Sequence, residues 1–335
     1  MIGGDIGADL VEGYLEHAVV GDSRSSVRLA LNLLDRGVAF DEIIVGLLGV
    51  AQREVGERWL RSDWTVADEH LASGVTQKAL DAIANSVEAP AAGGLVVVAC
   101  AEGDWHSLPA QMFAEMLRSH GFTVAFLGAS TPVDHVAKLI ARHHPDALAV
   151  SCNLALFFSG VTRLVDAAHR HGIPVIAGGR ALGVCPDRAT RLGADAWAAG
   201  VDDAVRILHD WQHQPPTIPS ESTPMHKAAL QLDAMAPEIA GVAFEALTAA
   251  YPPMATYNNR QLARTKEDLA FITQFIAAAR LVNDPIVLAD MLDWLRTLLA
   301  TRGVPSVAVA AGLTVLAPVI SQVDPQAGQL ALDSL

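Results

Sequence analysis

Residues 95–106 of the chain read Leu-Val-Val-Val-Ala-Cys-Ala-Glu-Gly-Asp-Trp-His. The first six residues form a short apolar run rich in valine, which is typical of a strand buried on both faces. The polar residues that follow mark the end of this strand, and residues 108–120 then have the apolar spacing of a helix that ends at Gly121. A buried strand followed by a helix is the repeating unit of a parallel α/β sheet.

The same unit recurs through residues 94–212. This alternation predicts a parallel sheet with helices on both faces, a flavodoxin-like or Rossmann-like α/β domain. Ligands in such sheets bind beyond the carboxyl ends of the strands. Further strands are predicted at 123–127, 147–151, 174–177 and 196–198, and helices at 133–143, 158–171, 186–192 and 201–211.

Helical patterns flank this α/β domain on both sides. Residues 1–88 predict a four-helix bundle, in which Thr65 and Asp68 form a capping box at the start of the fourth helix. A linker is expected at 89–94, and a second, proline-rich linker at 212–224. The segment 225–323 predicts an all-α domain, with helices near 226–235, 237–250, 259–280, 285–301 and 304–320 and a loose tail after Pro325. The predicted fold class is therefore α/β plus all-α.

Composition narrows the function. The 335 residues carry a formal net charge of −14 and no basic cluster, which argues against nucleic acid and anionic membranes as partners. The sequence contains no apolar run long enough to span a membrane and no basic leader after Met1, so a cytoplasmic protein is expected. Three widely spaced cysteines, Cys100, Cys152 and Cys185, give neither a disulfide framework nor a zinc pattern.

Three features fall at predicted carboxyl ends of strands. They are Asp104-x-His106, Ser151, and the pair Gly178-Gly179. A histidine in such a place can bind a metal through one ring nitrogen while the aspartate holds the other nitrogen. A pair of glycines would let a bulky group approach the backbone closely. Taken singly, each feature has an ordinary alternative, namely a loop histidine, a strand-end serine or a glycine turn.

Together, these features resemble the B12-binding domain that holds cobalamin with a protein histidine as the lower cobalt ligand. That family shows Asp-x-His-x-x-Gly, then Ser-x-Leu, then Gly-Gly. Pro109 replaces the motif glycine here, and Asn153 replaces the motif leucine. The resemblance implies that His106 binds cobalt, that Ser151 contacts the displaced base, and that the tail of this base runs past Gly178-Gly179. Asp104 and Asn153 are the other cofactor-binding candidates of this motif.

The bundle strengthens this resemblance. Nine residues separate Trp59 from Glu69-His70, the spacing seen in B12-dependent photoreceptors of the carotenogenesis type. There the bundle is a cap over the upper corrin face, and these side chains cover the adenosyl group, which implies adenosylcobalamin as the cofactor. The alternative is a core tryptophan with a solvated Glu-His pair. Leu60 stands where that family has a histidine that ligates cobalt after photolysis, and His70 is the nearest substitute.

The combination of cap, B12 domain and C-terminal helical domain resembles photocobilins, which hold biliverdin in a globin-like domain. Because the four-helix pattern begins close to Met1, we expect no DNA-reading domain in front of it. A bilin would be non-covalent, since no cysteine follows Cys185. Its propionates need cationic partners and its rings need aromatic neighbours, although each candidate can equally be a solvated arginine or a core aromatic. The candidates are Tyr257, Arg260, Arg264, Arg280 and Trp294.

The resemblance implies a light sensor rather than an enzyme. Photolysis of the cobalt–carbon bond would change the conformation or the oligomeric state, with light-dependent assembly of a homo-oligomer or contact with a protein effector as the output. The rival hypothesis is a corrinoid methyl carrier of a methyltransferase system. A third is a protein for B12 storage or delivery.

Overall fold

The computed structural model of the chain describes residues 6–88, 93–218 and 227–335. The linkers expected at 89–94 and 212–224 lie partly outside the described residues. The described chain forms a parallel sheet covered by helices, with one helical segment before it and another after it. The predicted fold class, an α/β domain combined with all-α segments, is therefore confirmed.

The helical segment before the sheet packs through apolar side chains that recur at helical spacing. One helix departs from the prediction, because the expected third helix contains a six-residue π-helical turn. Periodicity alone does not reveal such a local change in helix type. The elements are α1 (Ala8–Val19), α2 (Ser23–Asp35), α3 (Phe40–Glu42), the π-helical turn Ile43–Leu48, α4 (Gly49–Leu60) and α5 (Val66–Ala84).

Helix α5 begins as the sequence predicts. The backbone N–H of Asp68 donates to the hydroxyl oxygen of Thr65 at 3.3 Å, and the backbone N–H of Thr65 donates to Oδ2 of Asp68 at 2.8 Å. This reciprocal pair satisfies donors that the first turn of a helix leaves without partners. The capping box therefore fixes where α5 starts, directly after the short loop that follows α4.

Five parallel strands form the sheet in the order β2-β1-β3-β4-β5. Because β1 lies between β2 and β3, the chain reverses its direction of winding at β1. The carboxyl ends of β1 and β3 are the switch point where ligands of such sheets bind. The strands are β1 (Leu95–Cys100), β2 (Thr123–Phe126), β3 (Ala147–Ser151), β4 (Val175–Gly178) and β5 (Ala196–Trp197), and the helices are α6 (Ser107–Ser119), α7 (Val133–His143), α8 (Phe158–His169), α9 (Asp187–Arg191) and α10 (Val201–His213).

The two faces of the sheet belong to different hydrophobic cores. Side chains alternate along a strand, so Val96 and Val98 of β1 face one way and Val97 and Ala99 the other. Val96 and Val98 share a core with the N-terminal bundle, α6 and α10. Val97 and Ala99 share a core with α7, α8 and the helices that follow residue 227. Each helical segment is thus joined to the α/β domain through an apolar layer.

The helices after residue 227 form the all-α domain that the sequence predicts, and its globin-like character stays a prediction. Its longest helix, α13, packs against α8, α9 and the 3₁₀ turn Ala155–Phe157. At the same junction, Nη2 of Arg188 lies 2.8 Å from Oδ2 of Asp284. Among the helices that the structure describes, none combines the length and apolarity needed to cross a membrane. The helices are α11 (Lys227–Ala234), α12 (Ala236–Ala250), α13 (Asn259–Val282), α14 (Ile286–Thr301), α15 (Val307–Ile320) and α16 (Pro325–Asp333).

The tail after Pro325 is helical and packed, so the prediction of a loose tail was wrong. Asp324 caps α16 by accepting a hydrogen bond from the backbone N–H of Gln326 at 2.9 Å. Gly328 lies so close to the end of α15 that a Cβ atom there would be 1.9 Å from Oγ of Ser321. Close packing on α15 therefore orders the segment that its sequence position alone suggested would be loose.

Candidate functional site

Asp104 and His106 lie in the loop between β1 and α6, at the carboxyl edge of the sheet. Asp104 is completely buried, whereas the side chain of His106 is 56% exposed. Oδ1 of Asp104 lies 2.8 Å from Nδ1 of His106 and accepts the backbone N–H of His106 at 2.9 Å. Because a carboxylate only accepts hydrogen bonds, Nδ1 carries the proton and the free lone pair lies on Nε2. The imidazole is thus oriented to bind a metal through Nε2.

The surroundings raise the pKa of His106 above its ordinary value. The hydrogen bond to Asp104 is the largest cause, burial opposes it, and the charges of Asp104 and Glu69 add to it. A more basic imidazole is a stronger ligand, but a proton competes for Nε2 at pH values below that pKa.

Asn153 joins the loop after β3 to the loop after β1. Its backbone N–H donates to Oδ2 of Asp104 at 2.8 Å, and its side-chain Nδ2 donates to the carbonyl oxygen of His106 at 3.2 Å. Both oxygens of the buried carboxylate therefore receive donors, which offsets the cost of burying a charge. Ser151, half-buried at the end of β3, accepts the backbone N–H of Ala101 at 2.9 Å. The two strands at the switch point together hold the loop that carries His106.

Gly178 and Gly179 lie at the end of β4, beside the loop after β3. Gly179 has a φ of +105°, and a Cβ atom there would lie 2.4 Å from the carbonyl oxygen of Cys152. A Cβ atom on Gly178 would lie 3.2 Å from the carbonyl oxygen of Ala198. The chain's own packing thus requires glycine at position 179. The expected contact of this pair with a bound group stays a prediction.

Trp59, Glu69 and His70 lie at the adjoining ends of α4 and α5. Hydrogen bonds from Gln52 to the middle of α5 show that the two helices run antiparallel, which places Trp59 level with the first turn of α5. Oε2 of Glu69 lies 2.5 Å from Nδ1 of His70, whose side chain is 75% exposed. The second oxygen of the Glu69 carboxylate, Oε1, accepts the hydroxyl of Ser73 at 2.9 Å, so both oxygens of this carboxylate are held.

The bundle and the α/β domain also meet at the far end of α6. His106 is the residue before α6, and His120 is the residue after it. Nε2 of His120 lies 2.7 Å from Oδ2 of Asp41, which belongs to α3 of the bundle. One helix therefore carries a site residue at its start and a bundle contact at its end.

Ser130, in the loop after β2, supports the His106 loop and was not predicted from the sequence. Its hydroxyl oxygen accepts the backbone N–H of Gly103 at 3.0 Å, and its backbone N–H donates to the carbonyl oxygen of Asp104 at 3.0 Å. Ser130 has a φ of +45°, which is uncommon for a residue other than glycine. No local pattern indicates this role, because Ser130-Thr131-Pro132 resembles any loop before a helix.

The arginines proposed to hold a bilin are spread along α13. Nη1 of Arg264 lies 2.5 Å from Oε2 of Glu267 on the exposed face of the helix. Nε of Arg280 donates to Oδ2 of Asp324 at 3.0 Å and so ties α13 to α16. Arg280 lies sixteen positions after Arg264 on the same helix, or about 24 Å along its axis, so the structure does not bring the two together. Arg260 is exposed at the start of the same helix.

The aromatic candidates lie apart on the C-terminal domain. Tyr257 is half-buried before α13, and burial and then Tyr251 raise the pKa of its hydroxyl. Trp294 is 42% exposed on α14. Asp268 on α13 was missed, because nothing in the sequence separates it from an ordinary surface acid. Burial raises the pKa of its carboxyl to about 6, Glu267 adds to that shift, and two nearby arginines reduce it.

Two family models match the chain. Residues 94–208 match a model described as a B12 binding domain. Residues 10–84 match a second model that carries the same description. The first match covers the sheet with Asp104 and His106, and the second covers the bundle with Trp59 and Glu69.

Similar proteins include regulators and corrinoid proteins. The HTH-type transcriptional repressor CarH of Myxococcus xanthus is 32% identical over 170 residues, which make up 48% of this chain and 54% of that protein. This chain therefore spans about half the length of CarH. The trimethylamine corrinoid protein of Methanosarcina barkeri is 24% identical over 192 residues, which make up 55% of this chain and 88% of that protein.

A solved structure shares the fold. The monomethylamine corrinoid protein of Methanosarcina barkeri has a TM-score of 0.52 at 21% identity and covers 59% of this chain and 96% of its own. The donor set fits the ligand that the family models name, since His106 presents Nε2 while buried Asp104 holds Nδ1. Residues 94–208 are a B12-binding domain, residues 10–84 match the helical B12-binding model, and the chain is a cobalamin-binding protein.

Proposed function

We propose that this cobalamin-binding protein is a cytoplasmic light sensor that uses adenosylcobalamin and is not an enzyme. The observation that carries the proposal is the hydrogen-bonded Glu69–His70 pair in the first turns of α5, next to the end of α4 that holds Trp59. Groups that form hydrogen bonds suit a nucleoside as the upper ligand, whereas a methyl group offers them no partner. The similarity to CarH supports this proposal.

In this proposal His106 binds cobalt from below through Nε2, and Asp104 holds the other ring nitrogen. Adenosylcobalamin supplies a cobalt–carbon bond that light breaks. Trp59, Glu69 and His70 cover the adenosyl group in the dark and lose a binding partner when it leaves. The bundle then repacks and changes the surface offered to another copy of the chain or to a protein effector. Because position 60 holds a leucine, His70 would be the nearest histidine that could hold cobalt after the adenosyl group has left.

The test is illumination of the loaded protein. The full chain is loaded with adenosylcobalamin in the dark and exposed to green light, and its absorbance spectrum and elution volume are followed. The spectrum and the elution volume are both expected to change. Protein loaded with hydroxocobalamin, which has no alkyl group to lose, is the control and should show neither change. If adenosylcobalamin photolyses but elution volume and amide exchange in α4 and α5 stay constant, the sensor proposal is wrong.

A corrinoid methyl carrier is the second candidate function. It is supported by the alignment with the trimethylamine corrinoid protein, which covers 88% of that protein. A carrier has to present a methyl group to a partner enzyme, so it predicts equal dark affinity for methylcobalamin and adenosylcobalamin and no light-dependent change in size. Binding of either corrinoid with no change in size and no methyl transfer would indicate storage or delivery.

We also propose that the C-terminal domain binds biliverdin without a covalent bond. The support is the arrangement of domains together with Tyr257, Arg260, Arg264 and Trp294, which offer aromatic and cationic contacts on α13, α14 and the turn before them. Arg280 is assigned to this site less directly, because it pairs with Asp324. Co-expression with a biliverdin source should give a purified protein with a far-red absorption band. A protein that lacks this band and gains none when biliverdin is added contradicts the proposal.

A further inference from the structure

A chain of polar side chains crosses the apolar core of the bundle. Oε1 of Glu69 lies 2.9 Å from Oγ of Ser73, and that Oγ lies 3.0 Å from Oε1 of Gln52. Nε2 of Gln52 donates to Oγ1 of Thr76 at 2.8 Å, and the hydroxyl of Tyr14 donates to the same oxygen at 3.2 Å. Residues of α1, α4 and α5 are thereby connected to Glu69.

The inner end of this polar chain is deeply buried. Tyr14 and Thr76 are 0% and 1% exposed, and burial raises the pKa of Tyr14 to about 12. The same core otherwise consists of apolar side chains such as Leu15, Leu47 and Leu80. Polar groups in such a core destabilise the fold unless they are bonded to one another, so their bonds fix the orientation of each member.

Ser73 has one hydroxyl proton and two acceptors for it. Because Nε2 of Gln52 donates to Thr76, the oxygen of the Gln52 amide is the atom that faces Ser73. Oε1 of Glu69 faces the same hydroxyl, so only one of the two oxygens receives the proton at a time.

We infer that Ser73 and Gln52 are positioning residues for Glu69, and that they set the preference of the upper corrin face for a ligand that donates hydrogen bonds, such as a sugar diol. This inference rests on the proposed function, in which Glu69 meets the upper ligand. His70 holds one carboxylate oxygen of Glu69 and Ser73 holds the other, so the remaining lone pairs point in fixed directions. Prior orientation of this kind lowers the entropy lost on binding.

The test compares two corrinoids in the dark. Dissociation constants of adenosylcobalamin and methylcobalamin are measured for the full chain by quenching of tryptophan fluorescence. Ser73→Ala should weaken adenosylcobalamin binding about fivefold, as expected for one hydrogen bond, and leave methylcobalamin binding unchanged. Ser73→Thr, which keeps the hydroxyl, should keep the preference. Ser86→Ala is the matched control, because Ser86 is exposed and donates only to the carbonyl oxygen of Ala82.

A second pair of variants tests whether Ser73 acts through Glu69. In a Glu69→Ala background, Ser73→Ala should have no further effect on the ratio of the two dissociation constants. Gln52→Ala, like Ser73→Ala, should weaken the binding of adenosylcobalamin relative to that of methylcobalamin. Thermal melting of the ligand-free protein checks that this variant folds. An unchanged ratio in Ser73→Ala, or equal weakening of both corrinoids, overturns the inference.

The outcome is separable from that of the light-sensing proposal. The ratio of dissociation constants is a property of the protein in the dark. A protein that prefers adenosylcobalamin through Ser73 but does not respond to light would disprove light sensing and leave the positioning role standing. A protein that responds to light but shows an unchanged ratio in Ser73→Ala would support light sensing and disprove the positioning role of Ser73.

Discussion

The ring of Phe157 packs directly on the backbone of Gly103, so that a Cβ atom added to Gly103 would lie 2.8 Å from Cδ1 of that ring. Phe157 ends the 3₁₀ turn Ala155–Phe157, which packs against α13. The turn that contains Phe157 therefore contacts both the loop that carries Asp104 and His106 and the C-terminal domain. A change in packing at this turn would reach His106.

Gly103→Ala is expected to weaken both corrinoids alike. Gly103 has a φ of +95°, which disfavours alanine, and the new methyl group would displace Phe157. The strain is about 1–3 kcal/mol, and dark titration with methylcobalamin should show a loss of affinity of about tenfold. Gly172→Ala is the control, because Gly172 has a φ of +72° and open space around its Cβ position. Equal loss of affinity in both variants would argue against the role of Phe157.

Asp104→Asn is expected to lower the pKa of His106. The Asp104 carboxylate holds that pKa above the ordinary value of 6.5 in the ligand-free protein. A protonated imidazole cannot bind cobalt, so ligation is lost as the pH falls through this raised pKa. The variant should keep ligation to a lower pH, with affinity about 10-fold to 100-fold weaker once the imidazole is neutral. Imidazole NMR of the ligand-free proteins and the corrinoid spectrum against pH test this, and an unchanged pKa would contradict it.

Only Cys185 is expected to react with a thiol reagent in the folded protein. Burial, with a contribution from the charge of Asp104, raises the pKa of Cys100 to about 12 and that of Cys152 well above its usual range. Cys185 is exposed, and the thiolate is the reactive form. Titration with a chromogenic disulfide should release one equivalent from the folded chain and three after unfolding. A second fast-reacting thiol would show that the loops after β1 and β3 open.

Asp268→Asn is expected to stabilise the protein at neutral pH. Burial raises the pKa of Asp268 to about 6, so the folded state binds this proton more tightly than the unfolded state. Stability is therefore lost as the pH rises from 3.8 towards 6, and the loss is complete above that range. The variant should gain about 1 kcal/mol in urea unfolding at neutral pH, after allowance for partial exposure, and nothing at low pH. Asp290→Asn, at an exposed position on α14, should show no such gain.

Local patterns predicted the elements where the signal itself is local. The capping box at Thr65 and the apolar run at Leu95–Cys100 appear in the structure at the predicted positions. The tail shows the limit, because Asp324-Pro325 is itself a helix-start signal, with a capping residue directly before a proline. The tail was predicted to be loose because it lies near the end of the chain. In the structure, packing against α15 holds it as a helix.

The sequence predicted where the site lies, but it did not predict most of the contacts between the residues there. The rule that strand ends carry ligand sites indicated Asp104 and Ser151, and β1 and β3 are indeed neighbours in the sheet. The bond from Asn153 to Asp104 depends on the strand order, which the sequence alone leaves open. The polar chain behind Glu69 depends on the register of α4 against α5, and the pairing of Arg280 depends on where α16 folds back.

Helix α6 also determines how the bundle can move. It contains 13 residues and is about 20 Å long, with His106 at its start and His120, which contacts the bundle residue Asp41, at its end. Asp41 begins the long helical stretch that Trp59 closes at the other end. The bundle is also held to α6 by their shared apolar core and by the hydrogen bond that Gln111 on α6 donates to Asp81 on α5 at 3.0 Å. Because α6 links His106 to the bundle at both of these places, a shift of His106 would be transmitted along α6 to Asp81 and Asp41.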